Sequence, residues 1–101
     1  MNNSQILLKF GNDLRNARTR RRIQQMVMAK MLNVSLPTLR KVENGDPTVA
    51  FGVYMGYLTQ LGMAERLADL ADARHDTVGL ELENKTLPKR IGKPKKKGKG
   101  V

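Results

Sequence analysis

Few residues in this chain have the types and spacing that support chemistry, and most of those favour anions. His75 is the only histidine, and Asp72 and Asp76 flank it, a trio with the donor types of a metal site. One imidazole and two exposed carboxylates make weak ligands, so a surface histidine is the preferred reading and no metal is expected. The Lys- and Gly-rich C-terminus has the composition of a phosphate loop. It lacks the Lys-Ser/Thr pair and the strand-to-helix setting that such a loop needs. Arg18, Arg20, Arg21 and Arg22 form a dense guanidinium run interrupted only by Thr19. Guanidinium groups present forked donors to phosphate and carboxylate. No enzymatic activity and no cofactor are expected.

The charge balance agrees with that emphasis. Nineteen Lys and Arg face nine Asp and Glu in 101 residues, for a net charge of +10. Residues 1–75 carry eleven positives and six negatives, and residues 76–101 carry eight and three, so each part is net +5. Both parts favour a polyanion, either a nucleic acid or an anionic membrane surface. No apolar run approaches the roughly 18 residues of a membrane span. The polar start Met1 to Ser4, with only a short apolar stretch after it, is unlike a secretion signal. The expected location is cytoplasmic. Cysteine is absent, which excludes disulfides and thiolate metal sites.

The elements that must position these groups are helical. Hydrophobic residues make up 40% of the chain, mostly Leu, Val, Met and Ala, a mix that suits packed helices. With Ser4 as its cap, a first helix presents Leu7, Phe10, Leu14 and Ala17 at helical spacing. A second helical segment runs from Ile23 to Leu32, and a third follows Asn33-Val34-Ser35 and ends at Glu43. Asn44-Gly45-Asp46-Pro47 is a strong turn. Phe51, Tyr54, Met55, Leu58 and Leu61 mark a fourth helix that Gly62 stops. Gly52 and Gly56 within it either permit close helix packing or are tolerated. Ala64 to Ala73 reads as a fifth helix with Leu67 and Leu70 inward. Thr77 to Glu83 alternates, which predicts a short β-strand. Beyond Asn84 the Lys, Gly and Pro content predicts a disordered basic tail. The predicted boundaries are a helical domain over 1–75 and a strand plus tail over 76–101.

The segment from Gln25 to Gly45 matches a helix-turn-helix in every position that such a motif buries. Counting Gln25 as first, the fifth position needs a small residue and holds Ala29. The ninth favours a left-handed backbone and holds Asn33. Apolar residues are wanted fourth, eighth, tenth, fifteenth and eighteenth, where Met28, Leu32, Val34, Leu39 and Val42 stand. Ser35 caps the second helix of the pair, and Pro37 lies in its first turn, where a missing N–H costs nothing.

Ala29, Asn33-Val34-Ser35, Thr38-Leu39 and Glu43-Asn44-Gly45 resemble the phage-repressor-like (Cro/C1, XRE) family of helix-turn-helix proteins. The resemblance covers roughly residues 5 to 73 and implies an all-α, five-helix domain. Gly45-Asp46-Pro47-Thr48-Val49 and the later Leu87-Pro88-Lys89-Arg90 are similar to HipB-type antitoxins, which accompany HipA-family serine/threonine kinase toxins. That likeness implies a kinase partner and an autoregulated toxin-antitoxin operon.

In such an architecture the second helix of the motif enters the major groove of double-stranded DNA. The expected base-contacting residues are Ser35, Leu36, Pro37, Thr38 and Lys41. Ser35 and Thr38 can bond several bases, Leu36 or Pro37 can touch a thymine methyl, and Lys41 can reach guanine O6 or N7. The resemblance puts Gln25 at a position that contacts backbone phosphate, and helix polarity supports that. Arg18, Arg20, Arg21, Arg22, Arg40 and Asn44 complete the expected phosphate set. Arg40, like Lys30, reads equally well as a solvated helix charge. Such proteins bind palindromic operators as homodimers, at half-sites about one turn, roughly 34 Å, apart. Val78, Leu80 and Leu82 are the expected dimerisation residues, pairing strand to strand. Two function classes follow: a sequence-specific repressor, of an antitoxin operon or a stand-alone phage type, and an antitoxin acting mainly by binding a kinase.

Overall fold

Asn2 and Gln5 begin the first helix by exchanging hydrogen bonds. Asn2 Oδ1 accepts from Gln5 N at 2.8 Å, and Gln5 Oε1 accepts from Asn2 N at 2.9 Å. This reciprocal box satisfies two donors that the helix end would leave unpaired. Asn2 therefore takes the capping role expected of Ser4, which lies inside the helix. The computed structural model describes residues 1–86. Leu87-Pro88-Lys89-Arg90 and the basic tail lie outside the described residues.

The α-helices are α1 (Asn3–Arg20), α2 (Gln25–Leu32), α3 (Leu36–Glu43), α4 (Phe51–Leu61), α5 (Glu65–Ala68) and α6 (Thr77–Thr86), with a 3-10 turn at Ala73–His75. There is no strand among the described residues, and no described helix is long and apolar enough to cross a membrane. Met1–Arg66 form one compact unit, and the described residues from Leu67 onward belong to a second. The change in composition after His75 falls inside that second unit.

In the first unit, α1 and α2 each pack against both α3 and α4. The core is Leu14 and Ala17 from α1, Met28 and Ala29 from α2, Leu39 and Val42 from α3, and Tyr54, Tyr57, Leu58 and Leu61 from α4, all buried. Leu32 and Val34 are half-buried beside it. Phe10 stacks on Tyr54 at 5.8 Å between ring centroids, and the Tyr54 hydroxyl donates to the Asp46 carbonyl at 2.8 Å.

The crossing of α1 against the end of α3 depends on glycine. A Cβ on Gly11 of α1 would lie 2.6 Å from the Val42 carbonyl oxygen and 2.7 Å from the Gly45 nitrogen. Gly45, at φ +67°, crosses the backbone of Leu7 and Leu8 just as tightly. The glycines of α4 have no such role: Gly52 has nothing within 4 Å of a Cβ, and Gly56 meets only Leu32 Cδ2, at 3.6 Å.

Two expectations are corrected. The helix foreseen over 64–73 is a single turn, α5. Asp72 ends any continuation, because its carboxylate accepts from Arg74 N at 2.9 Å and starts the 3-10 turn. This is the local competition that keeps aspartate out of helix interiors. Leu67 is half-buried and Leu70 is exposed. The strand foreseen over 77–83 is instead the first part of α6. Asp76 nucleates it by accepting from Gly79 N through its carboxylate, at 3.0 Å, and from Leu80 N through its carbonyl, at 2.9 Å. Val78, Leu80 and Leu82 lie on this helix and are exposed. Val78 and Leu82 share a side by their four-residue spacing and Leu80 does not, so strand pairing through these three is not available to this form.

Candidate nucleic-acid interface

A left-handed residue sets the geometry between α2 and α3. Asn33 sits at φ 57°, where asparagine is tolerated better than other side chains. Asn33 N donates to the Lys30 carbonyl at 3.1 Å and Val34 N to the Ala29 carbonyl at 3.0 Å, which closes the end of α2. Ser35 then caps α3. Its Oγ accepts from Thr38 N at 3.2 Å and lies 3.0 Å from Thr38 Oγ1. Pro37 occupies the first turn.

One side of α3 is fixed and the other is open. Leu39, Val42 and Glu43 are buried, while Ser35, Pro37, Arg40 and Lys41 are exposed and Leu36 and Thr38 are half-buried. Arg40 and Lys41 make no side-chain hydrogen bond or ion pair among the described residues. Asn44, just after α3, is exposed, and its side chain makes no hydrogen bond to a described residue. The acid beside this surface is Asp46. Its carboxyl is held below its ordinary range by hydrogen bonds from the Thr48 hydroxyl and backbone N–H, with the Lys41 charge contributing less.

The C-terminal end of α3 is held by one carboxylate. Glu43 Oε2 accepts from Arg18 Nε at 2.6 Å and from the Tyr57 hydroxyl at 2.5 Å. Glu43 Oε1 accepts from Arg18 Nη2 at 3.1 Å and from Gln25 Nε2 at 2.9 Å. The donors come from α1, α2 and α4, so this group ties all four helices together. Burial pushes the Glu43 carboxyl upward, but the hydrogen bonds from Arg18, Tyr57 and Gln25 outweigh it and the net direction is down. The Arg18 guanidinium is raised, chiefly by its bond to Glu43. Burial and the bond to Glu43 push the Tyr57 hydroxyl strongly up.

This network corrects the expected phosphate set. Arg18 is 6% exposed, and its Nη1 donates to the Ile23 carbonyl at 2.7 Å, so its charge faces the core and not a ligand. Arg21 donates to the carbonyls of Ala17 at 2.9 Å and Leu61 at 3.1 Å, joining the ends of α1 and α4. Gln25 is half-buried and commits one amide hydrogen to Glu43. Arg20, Arg22 and Lys30 are exposed, with no side-chain partner among the described residues.

The Glu43 network was missed in the sequence, although a signal existed. Arg18 repeats the inward phase of Gly11 and Leu14 on α1, and Glu43 that of Leu39 on α3, so an acid and a base both point inward. In the second unit, Asp72 caps the 3-10 turn and pairs with Arg74 at 3.5 Å, and Asp76 caps α6, so both carboxylates beside His75 have local partners. Compared with protein-family models, curated proteins and solved structures, the chain finds no match.

Proposed function

We propose that this chain is a sequence-specific DNA-binding transcriptional repressor in which α2 and α3 form a helix-turn-helix and α3 reads the major groove. The observation that carries this reading is the division of α3 into a locked side, Leu39, Val42 and Glu43, and an open side with Pro37, Arg40 and Lys41. A helix held this rigidly presents a fixed pattern of side chains, as base readout requires. Met1–Arg66 contains ten Lys and Arg against four Asp and Glu, a field that draws in a polyanion.

Ser35, Leu36, Pro37, Thr38 and Lys41 are the base-contacting set in this reading. Pro37 and Lys41 share a face at four-residue spacing and pair an apolar contact with a long donor. Gln25, Arg40, Asn44, Arg20 and Arg22 contact phosphates and fix the register without reading sequence. One short helix reads few base pairs, so a two-fold pair of chains is the binding form. The outer side of α4 is proposed for that pairing: α4 has no charged residue, Phe51 is 64% exposed and Met55 is 46% exposed. Two strongly basic units repel except where such an uncharged side meets its own copy.

The similarity to HipB-type antitoxins extends the proposal to an autoregulated toxin-antitoxin operon with a HipA-family kinase as partner. Its support is the string Gly45-Asp46-Pro47-Thr48-Val49 leading into α4. Binding-site selection from a random duplex pool tests the core of the reading. A symmetric consensus with half-sites about one turn, roughly 34 Å, apart is expected. A pool that stays random after repeated selection rejects sequence-specific binding.

A further inference from the structure

Four helices of the first unit end in the same hydrogen-bonded pattern, and one of them carries the wrong residue for it. At the end of α3, Gly45 N donates to the Val42 carbonyl at 3.0 Å and Asp46 N to the Lys41 carbonyl at 2.9 Å. At the end of α4, Gly62 N donates to the Thr59 carbonyl at 3.0 Å and Met63 N to the Leu58 carbonyl at 2.9 Å. At the end of α2, Asn33 and Val34 make the equivalent pair of bonds at 3.1 and 3.0 Å. At the end of α1, Arg22 N donates to the Thr19 carbonyl at 2.9 Å and Ile23 N to the Arg18 carbonyl at 3.3 Å. The pivot residue must adopt a left-handed backbone, and φ is 78° at Gly62, 67° at Gly45, 57° at Asn33 and 57° at Arg22. Glycine adopts it freely and asparagine tolerates it. Arginine, with a Cβ and no short polar group to bond its own backbone, adopts it only at a cost in free energy.

No side-chain bond from Arg22 to a described residue offsets that strain. Arg22 is exposed, and its guanidinium makes no hydrogen bond or ion pair among the described residues. Its neighbours differ: Arg18 is buried against Glu43, and Arg21 is bonded to two carbonyls. Arg22 also lies three residues before Gln25, the first residue of α2. Residues held in disfavoured backbone regions persist where the conformation or the side chain serves a purpose.

We infer that Arg22 is kept at a glycine-type position because its guanidinium binds a DNA phosphate, so that this residue lowers fold stability and raises nucleic-acid affinity. The inference rests on the reading of the chain as a DNA-binding protein. The guanidinium offers two parallel donors to phosphate oxygens, which a backbone glycine cannot replace.

The full chain and its Arg22→Gly, Arg22→Lys and Arg15→Ala variants separate the outcomes. Each is melted without DNA and titrated against a random-sequence duplex and a selected duplex over a salt series. Arg22→Gly is expected to melt at a higher temperature than the parent. It should bind both duplexes more weakly by the same factor, several-fold at low salt, with the slope of log affinity against log salt reduced by about 1. Arg22→Lys should keep the parent melting temperature and most of the slope. Arg15→Ala removes an exposed cation within α1 and should change the slope less. The inference is overturned if Arg22→Gly binds as the parent does, loses no more than Arg15→Ala, or melts at a lower temperature. A parent chain that binds neither duplex removes the DNA-binding reading itself.

Discussion

The Arg18 guanidinium lies across the Glu43 carboxylate, donating Nε to one oxygen at 2.6 Å and Nη2 to the other at 3.1 Å, with both side chains almost fully buried. The pair joins α1 to the last residue of α3, so the orientation of the proposed reading helix depends on a charge held inside the protein. Buried pairs contribute little net stability compared with well-packed apolar residues, but removing one partner leaves an uncompensated charge. Glu43→Gln should therefore destabilise the chain by about 3 kcal/mol in urea denaturation. The double variant Arg18→Met/Glu43→Leu should recover much of that loss. A loss below about 1 kcal/mol for Glu43→Gln would mean that Arg18 finds other partners or solvent.

Acid should weaken the fold through the same group. The folded-state pKa of Glu43 lies below its ordinary value, so its stabilisation is fully present above the unfolded pKa of about 4.3. It is lost as pH falls through the lower folded value. Urea midpoints should be level from about pH 7 to 5 and fall steeply below about pH 4. The Arg18→Met/Glu43→Leu variant should fall less steeply. Equal slopes would move the acid sensitivity to other carboxylates.

Glycine substitutions should have opposite signs at two positions. Gly11→Ala would drive a methyl against the backbone of Val42, Glu43 and Gly45, where no flexible side chain can yield. A loss of about 1–3 kcal/mol is expected, net of any gain in helix propensity. Gly52→Ala points into open space and should stabilise the helix by about 0.5–1 kcal/mol. Thermal melts of the two variants decide the matter, and a stabilising Gly11→Ala would contradict the observed crossing of α1 and α3.

The pairing of two copies through α4 has a direct chemical readout, because the chain has no cysteine. Gly52→Cys, with space around it, should form a disulfide-linked dimer under mild oxidation. Val78→Cys on α6 should not. Phe51→Glu should shift the sedimentation coefficient to that of a monomer without loss of helix. Crosslinking through Val78→Cys alone would assign the pairing to α6.

Much of the first unit was legible in the sequence. Turn signals at Asn33, Ser35, Gly45 and Gly62, with apolar residues at helical spacing between them, suffice to set α2, α3 and α4. The second unit was less legible because Val78, Leu80 and Leu82 alternate in a way that also fits one helical turn and its neighbours. The aspartates at 72 and 76, read as candidate ligands, are the caps that decide its structure. The sorting of the arginines was hidden for another reason. A run of five adjacent polar residues looks uniform along the chain, but a helix end points each in a different direction, and only packing determines which one is enclosed.

The central claim is that the open side of α3 discriminates between DNA sequences, and fluorescence anisotropy of the full chain tests it most directly. The chain is titrated with its own upstream duplex and with a scrambled duplex of equal length at near-physiological salt, where charges are screened beyond about 8 Å. The account expects preference for the upstream duplex by about a thousandfold or more, reduced by Lys41→Ala with little change in binding to the scrambled duplex. Equal, weak binding to both would leave only electrostatic attraction and contradict the claim.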